Sequence, residues 1–374
     1  MDATDTTTGR RRTSPLVLFL AVVLPVAAIG AALYMVWIKI PKQQNQEMNE
    51  ELVLRTVGLA KPVSNRLAER YTDADGDLVA DTPTDASQLI DPDTLVFSYV
   101  AVEDPTEFRG AFKEFMDHLA KVTGKHVEYL MATSTEEQLV ALRDGKLHVT
   151  GVNTGNVPLA VNVAGFVPVA KLAGDAGAAY QMEIIVPVGS AITKPEQLSG
   201  HELALTEAGS NSGFKAPLVL LQSNYQLVPG RDFGIRYSGG HEASIRGIAG
   251  KQYEAAAVAN DVLSRAAGAG EIRPDQYRSI FKSASFPTAG FGYTCQLKPE
   301  LAAKVKEAMS SFQWSGTGIE REFASAKYNK LVPVNYKEDW RLVREIDDAI
   351  GSVHKLPTSA PSSTTQPATQ TASR

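Results

Sequence analysis

Small hydroxyl and amide side chains cluster between two glycines at residues 209–213, where the sequence reads GSNSG. The alternating apolar run HELALTE precedes this cluster, and the apolar run LVLLQSNYQL follows it. These patterns predict a strand and then a helix, so the cluster lies in a strand-to-helix turn. A turn of this composition serves as a site for a serine nucleophile, as a cradle for an anion, or as a plain helix cap.

The residues of the turn exclude two kinds of catalytic site. A nucleophile elbow has serine at the centre of G-x-S-x-G, and here Asn211 occupies that centre. A nucleotide-hydrolase phosphate loop has Lys-Ser or Lys-Thr after its last glycine, whereas Lys215 precedes Ala216. Anion binding at the helix start and ordinary capping both remain open. Because Pro217 lacks an N–H, the regular helix is predicted to begin near it.

The loops that follow the other predicted strands contain one histidine, His241, and one well-placed carboxylate, Asp261. A metal site needs two or three converging ligands, and only Glu242 or Asp261 is available to join His241. A lone histidine is more often a surface or capping residue. If His241 shares a cleft with Ser210 and Ser212, its N–H is able to donate to an anion, more strongly in its charged form. No set of base, nucleophile and oxyanion donors is visible, so hydrolysis has no machinery and no enzymatic activity is expected.

Four aspartates surround Gly76, at Asp73, Asp75, Asp77 and Asp81. Their spacing resembles the calcium loops of thrombospondin type 3 repeats, and hard oxygen ligands on a tight turn suit Ca²⁺. Only one short copy is present, and the terminal glutamate of an EF-hand is missing. Calcium binding and a solvated acidic turn both remain open, and no other cofactor is predicted.

The composition is that of a globular protein large enough for two lobes. The chain has 374 residues, of which 44% are hydrophobic and 21% charged, and its net charge is −5. This charge gives no basic surface for nucleic acid, and the single cysteine, Cys295, excludes an internal disulfide. From Leu95 onward strands alternate with helices, which predicts an α/β fold with ligands beyond the carboxyl ends of its strands.

Both ends of the chain differ in composition from the region between them. About 25 uncharged residues follow the Arg10–Arg12 run, which predicts a cytoplasmic terminus at 1–14 and a transmembrane anchor at 15–40. A cleaved signal peptide is the alternative. Residues 41–93 are predicted as an extracytoplasmic stalk that carries the acidic turn, and residues 355–374 as a disordered tail rich in Ser, Thr, Pro and Gln.

From about residue 94 to 340 the chain resembles the PhnD-like proteins, which are the phosphonate-, phosphite- and phosphate-binding receptors of ABC importers. Two motifs carry this resemblance. The first is SNSGFKAP at 210–217, and the second, about 28 residues later, is SGGHEASIRGIAGKQYEAAAV at 238–258. Both motifs occur in the family's order and on matching strand-to-helix turns.

The resemblance implies a two-lobed periplasmic-binding-protein fold of type II that closes like a hinge around its solute. Lobe 1 is expected to comprise residues 94–184 and 285–350, and lobe 2 residues 185–284, with chain crossings near residues 184 and 285. The implied ligand is a phosphorus oxyanion, and the implied partner is an ABC permease in the inner membrane. A membrane-anchored sensory or scaffold protein on the same lobes is the alternative function.

Carried over from the family, Ser210, Asn211, Ser212 and His241 are expected to hold the phosphonyl oxygens. Asp261 stands where a family acid contacts the amine of aminoalkylphosphonates. Three family positions are changed in this chain: two pocket tyrosines are replaced by Thr135 and Val152, and a second amine-binding acid by Ala289. A smaller ligand such as phosphite, phosphate or a simple phosphonate is therefore expected. Tyr99 and Thr135 complete the predicted ligand-binding set.

Overall fold

The computed structural model describes residues 67–99, 108–175 and 177–351. The basic terminus, the anchor and the tail predicted at 1–14, 15–40 and 355–374 lie outside these residues. No helix among the described residues combines the length and the apolar character needed to cross a membrane.

The described residues form eleven strands, which belong to two sheets. In chain order the strands are β1 (Thr94–Tyr99), β2 (His126–Tyr129), β3 (Val149–Val152), β4 (Phe166–Gly174), β5 (Ala179–Pro187), β6 (Glu202–Leu205), β7 (Gly234–Tyr237), β8 (Ala255–Ala259), β9 (Tyr277–Pro287), β10 (Gly290–Thr294) and β11 (Tyr328–Pro333). The first sheet has the order β11-β4-β10-β3-β1-β2, and the second has the order β7-β6-β8-β5-β9. This arrangement confirms the predicted two-lobed α/β fold, with one lobe around each sheet.

Helices separate most of these strands, as the sequence pattern predicts. In chain order the α-helices of the described residues are α1 (Phe108–Ala111), α2 (Lys113–Thr123), α3 (Thr135–Arg143), α4 (Val157–Ala164), α5 (Ala216–Tyr225), α6 (His241–Ala249), α7 (Asn260–Gly268), α8 (Pro299–Ser311), α9 (Gly318–Phe323), α10 (Tyr336–Asp339) and α11 (Arg341–Ile350). Ser134 caps α3, because its Oγ accepts the Glu137 N–H at 3.1 Å.

The chain crosses between the two sheets after β4 and again after β9. Strand β5 pairs with β8 and β9 from Ala179 onward, so residues 179–184, which were assigned to lobe 1, belong to the second sheet. The predicted crossing near residue 184 is therefore too late. An antiparallel bridge between Gly174 and Gly177 turns the chain before β5 begins. The second crossing lies between Pro287 and Gly290, close to the predicted residue 285.

A third segment connects the lobes near the end of the described chain. Trp340 is fully buried and donates its indole N–H to the Thr154 carbonyl at 3.1 Å, which fixes the start of α11 on the first lobe. Helix α11 itself packs against α5 of the second lobe. Its buried residues include Val343, Ile346 and Ile350, whose spacing of three and four places them on one face. The assignment of all of 285–350 to lobe 1 therefore does not hold for α11.

Aromatic side chains fill the core of the first lobe. Phe97 on β1 packs against Phe112 and Phe115 with ring centroids 5.2 and 5.3 Å apart. Tyr99, two residues further along β1, stacks on Phe291 of β10 at 5.6 Å with an angle of 11° between the rings. Burial of such rings contributes strongly to stability. This core holds Tyr99, a predicted ligand residue, in place.

Residues 67–93 pack on the first lobe instead of forming the end of a free stalk. The Ala68 N–H donates to the Asn162 carbonyl at 2.7 Å, and the Ile90 N–H donates to the Gln296 carbonyl at 2.8 Å. Val79 and Ala80, which follow the acidic turn, are buried. The apolar side chains interspersed among the aspartates give this segment something to bury, which is why it joins the folded body.

Candidate functional site

Three turns come together at one edge of the second sheet. Strands β7, β6 and β8 are parallel neighbours, so their carboxyl ends meet at this edge. The GSNSG turn follows β6, His241 follows β7 and Asp261 follows β8. The topology therefore explains why residues that are far apart in sequence meet in one place.

A cavity of about 100 Å³ lies between the lobes at this edge. This volume is several times what one water molecule needs, so the cavity has room for a small solute. The side chains and backbone that line it come from both lobes: Tyr99, Asn153, Thr154, Gly155, Leu172, Thr288, Ala289, Phe323 and Tyr328 from the first, and Tyr180, Ser210, Asn211, Ser212, His241, Ala259, Asp261, Val262 and Arg265 from the second.

The GSNSG turn is wider than an ordinary helix start. The Lys215 N–H donates to the Ser210 carbonyl at 3.1 Å, five residues back, which is the spacing of a π-helical turn. Ser210 also caps the turn, because its Oγ accepts the Gly213 N–H at 3.1 Å. A Cβ on Gly213 would lie 2.0 Å from Thr206 Oγ1, so only glycine fits there. The regular helix α5 begins at Ala216 with Pro217 in its first turn, close to the predicted start.

His241 is a neutral hydrogen-bond donor that faces the two serines. Its Nδ1 accepts the Ala259 N–H at 3.2 Å, so the ring proton is assigned to Nε2. Nε2 lies 3.3 Å from Ser210 Oγ and 3.5 Å from Ser212 Oγ. Burial, with a smaller effect from the positive charge of Arg265, lowers the pKa of His241 to about 3. His241 therefore shares the cleft with the two serines in its neutral form.

Asn211 contacts Tyr180, a tyrosine that no sequence motif marks. Its Nδ2 donates to the Tyr180 hydroxyl at 3.3 Å, and its Oδ1 is buried without a hydrogen-bond partner. A buried acceptor without a hydrogen-bond partner costs free energy. Burial raises the pKa of Tyr180 to about 12, so its hydroxyl keeps its proton. Tyr180 reaches the cavity from the start of β5, where no motif marks it.

Asp261 lies between the lobes and is bound by protein groups. Its Oδ2 accepts the Tyr328 hydroxyl from the first lobe at 3.1 Å, and its Oδ1 accepts the Val262 N–H at 2.9 Å. Burial raises the pKa of Asp261, and the charge of Arg265 acts in the opposite direction. Arg265 lies one helical turn after Asp261 on α7 and also lines the cavity.

The remaining predicted residues divide into two groups. Tyr99 and Ala289 line the cavity, whereas Thr135 and Val152 do not. Thr135 is linked to the cleft indirectly, because its Oγ1 accepts the Asn156 amide at 3.3 Å. Val152 is fully buried in β3.

The lobes touch directly beside the cavity, so this is a closed arrangement. A Cβ on Gly155 of the first lobe would lie 2.3 Å from the Gly209 carbonyl oxygen and 2.5 Å from the Asn211 nitrogen. Backbone atoms from the two lobes are therefore in contact at the turn that carries the serines.

The predicted acidic turn brings three of its four aspartates close together. Ligand atoms of Asp73, Asp75 and Asp77 lie within 4.8 Å of one another. The Asp77 N–H donates to both Asp73 and Asp75 at 3.1 Å, and Asp81 accepts the Ala74 N–H at 2.8 Å. These are the contacts of an acidic turn that satisfies its own backbone, so calcium binding stays a prediction.

Comparison with known proteins identifies the family of the chain. A family model described as the periplasmic phosphonate substrate-binding protein of ABC transporters matches residues 97–340. The chain belongs to this family. Its relatives are substrate-binding proteins of importers, so this phosphonate-binding family member is a periplasmic receptor rather than an enzyme.

Individual relatives agree with the family assignment. The phosphate-import protein PhnD of Mycolicibacterium smegmatis is 24% identical over 290 residues, which cover 70% of this chain and 87% of that protein. Two solved structures share the fold. PhnD1 of Prochlorococcus marinus in complex with methylphosphonate has a TM-score of 0.59 at 13% identity, covering 70% of this chain and 100% of that chain. A binding protein component of an ABC phosphonate transporter from Pseudomonas aeruginosa has a TM-score of 0.58 at 17% identity. The alignment covers 70% of this chain and 89% of that chain.

Proposed function

We propose that this family member binds a small phosphorus oxyanion, namely phosphate, phosphite or a simple phosphonate, between its lobes and delivers it to an ABC permease. The observation that carries the proposal is the convergence of Ser210 and Ser212 on the Nε2–H of His241 in the cavity between the lobes. Two hydroxyls and an imidazole N–H in fixed positions suit the several oxygens of a tetrahedral ion.

The shape and lining of the cavity favour a small ligand. Its volume of about 100 Å³ gives room for a small solute. Leu172, Ala289 and Phe323 add an apolar part to the lining. Such a wall suits a hydrogen or methyl substituent better than a hydroxyl or an amine. This favours phosphite and methylphosphonate, with phosphate as the fully polar member of the series.

Aminoalkylphosphonates fit this cavity poorly. Ala289 stands where the family has a second amine-binding acid and offers no acceptor. The acid that remains, Asp261, already accepts hydrogen bonds from Tyr328 and Val262. An ammonium group would therefore enter the cavity without adequate partners, which costs binding free energy.

We also propose that residues 15–40 anchor the receptor in the inner membrane with its binding lobes in the periplasm. The support is the length of the uncharged run and the arginines before it. A tether of this kind would raise the concentration of the receptor near its permease. Protease protection of the chain in spheroplasts would test the orientation.

Calorimetric titration of the full chain in detergent tests the proposed ligand class. The ligands are phosphate, phosphite, methylphosphonate and aminoethylphosphonate, and the variants are Ser212→Ala and, as a control, Ser264→Ala. Ser264 is an exposed serine on α7 whose hydroxyl bonds only within its own helix, to the Asn260 carbonyl. We expect micromolar or tighter binding of one of the first three ligands, weakened about tenfold or more in Ser212→Ala alone. Absence of heat with all four would favour a sensory or scaffold role.

A further inference from the structure

Arg265 supplies a positive charge to a cavity whose other polar groups are neutral or acidic. The hydroxyls of Ser210, Ser212 and Tyr180 carry no charge, and His241 is neutral because its Nδ1 accepts the Ala259 N–H. Among the described residues that line the cavity, the charged side chains are Asp261 and Arg265. Without Arg265 the cavity would present a net negative charge to an anionic ligand. Such a ligand would be repelled.

The side chain of Arg265 is positioned for this role by two helices. It lies four residues after Asp261 on α7, which places both side chains on the same face of the helix. Its side chain is 17% exposed, so solvent screens its charge only in part. From α6, Glu242 approaches it with an oxygen 3.8 Å from Nη2. That distance exceeds a hydrogen bond, so this pair is held by charge alone.

We propose that Arg265 is the charge partner of the bound oxyanion and makes the receptor prefer ligands with two negative charges over ligands with one. This inference rests on the proposed function. The guanidinium group offers several N–H donors in a planar fork that matches two oxygens of a phosphoryl group. Glu242 acts as a positioning residue that competes with the ligand for the same charge.

The two acidic neighbours of Arg265 make its contribution measurable. Glu242 lies beside the guanidinium before the ligand arrives, Asp261 interacts with it through charge, and the ligand shares that charge when it binds. Loss of the guanidinium weakens binding of a dianion most, because attraction scales with the product of the charges. Loss of the Glu242 carboxylate should instead strengthen ligand binding, because Glu242 no longer competes with the ligand for the guanidinium.

The test compares Arg265→Gln, Arg265→Lys and Glu242→Gln with the wild-type full chain. Arg246→Gln is the matched control, because Arg246 also approaches Glu242, at 3.7 Å, yet is exposed and does not line the cavity. Calorimetry at an alkaline pH uses phosphate and methylphosphonate as dianions and dimethylphosphinate as a monoanion of similar shape.

We expect Arg265→Gln to weaken binding of the dianions about ten- to hundredfold, and to weaken dimethylphosphinate less. Arg265→Lys should restore part of the loss, and Glu242→Gln should tighten binding about two- to fivefold. Arg246→Gln should match the wild type. A merely structural role of Arg265 would not predict tighter ligand binding in Glu242→Gln.

The outcomes separate this inference from the function on which it rests. If the wild type binds none of the three ligands and also fails to bind phosphite, both are overturned. If the wild type binds and Arg265→Gln binds with the same affinity and the same preference for dianions, Arg265 is not the charge partner, and the receptor function stands. Equal weakening of the dianions and dimethylphosphinate also contradicts the inference, because it would indicate lost packing rather than lost charge.

Discussion

The ammonium group of Lys215 lies 2.7 Å from the Asp347 carboxylate and 2.8 Å from the Gly155 carbonyl oxygen. Lys215 is the last residue of the wide turn that carries the serines, Gly155 belongs to the first lobe, and Asp347 belongs to α11. Their side chains are almost fully buried, with 8% of Lys215 and 1% of Asp347 exposed. One buried charge therefore joins the binding turn, the opposite lobe and the helix that crosses between the lobes.

Removal of that charge should destabilise the protein strongly. Lys215→Met leaves the Asp347 carboxylate buried without its counter-ion, and we expect a loss of about 3–5 kcal/mol in the free energy of unfolding. Urea denaturation followed by circular dichroism measures this loss. The double variant Lys215→Met with Asp347→Leu should recover much of it, because neither charge is then buried alone.

An exposed ion pair provides the control for this measurement. Lys113 and Asp117 lie 2.6 Å apart on α2 with more than half of each side chain exposed. Lys113→Met should leave the unfolding midpoint unchanged, since solvent screens that pair. Equal effects of Lys113→Met and Lys215→Met would contradict the importance assigned to burial.

The hydrogen bond between Tyr328 and Asp261 should favour the closed arrangement. Tyr328 comes from the first lobe and Asp261 from the second, so the bond joins the lobes across the cavity. Tyr328→Phe removes the donor, and we expect ligand affinity to fall about two- to tenfold. Small-angle scattering of the ligand-free chain should show a larger radius of gyration. Tyr293→Phe, in β10 and outside the cavity lining, should change neither quantity.

Much of this site could be predicted because its motifs follow parallel strands. Ser210, His241 and Asp261 each begin a turn after β6, β7 or β8, and strand-to-helix alternation alone places such turns at one edge. Arg265 was also within reach of the sequence, because it lies one helical turn after Asp261 on the same face.

Other features depend on contacts that a linear pattern does not contain. Tyr180 enters the cavity from β5, an antiparallel strand with no motif. The apolar face of α11 predicts burial, but nothing in its periodicity says which lobe it covers. The neutral state of His241 depends on the Ala259 N–H, which is 18 residues away in sequence.

Protonation of His241 should couple stability to pH. Its pKa is lowered from 6.5 to about 3 by burial, so the unfolded chain takes up a proton below pH 6.5 that the folded protein does not. The contribution of the neutral imidazole is therefore complete above pH 6.5 and is lost as the pH falls from 6.5 toward 3. At pH 5 this loss amounts to about 2 kcal/mol. Urea denaturation at pH 7 and pH 5 measures the loss.

The variant His241→Gln separates the contribution of His241 to this pH dependence from that of the other titrating groups. A glutamine does not titrate, and its amide oxygen is able to accept the Ala259 N–H. We expect the variant to lose less stability than the wild type between pH 7 and pH 5, by about 2 kcal/mol. Parallel losses in the two proteins would mean that His241 is protonated in the folded state, contrary to the tautomer assigned from its hydrogen bonds.

Closure of the lobes should depend on the absence of a side chain at Gly155. A Cβ there would lie 2.3 Å from the Gly209 carbonyl oxygen, and backbone atoms of the opposite lobe have no rotamer by which to withdraw. Gly155→Ala should therefore hold the lobes apart. Because the closed state that binds ligand becomes rare, the apparent affinity should fall about tenfold or more.

Two measurements distinguish blocked closure from damage to the fold. Gly110→Ala is the control, because a Cβ at Gly110 would meet nothing within 4 Å. Scattering of Gly155→Ala with saturating ligand should give the radius of the open form, while its circular dichroism spectrum matches the wild type. Each lobe has its own sheet, so separation of the lobes leaves the secondary structure intact. If Gly155→Ala binds ligand as the wild type does, the contact at Gly209 is not part of the binding-competent state.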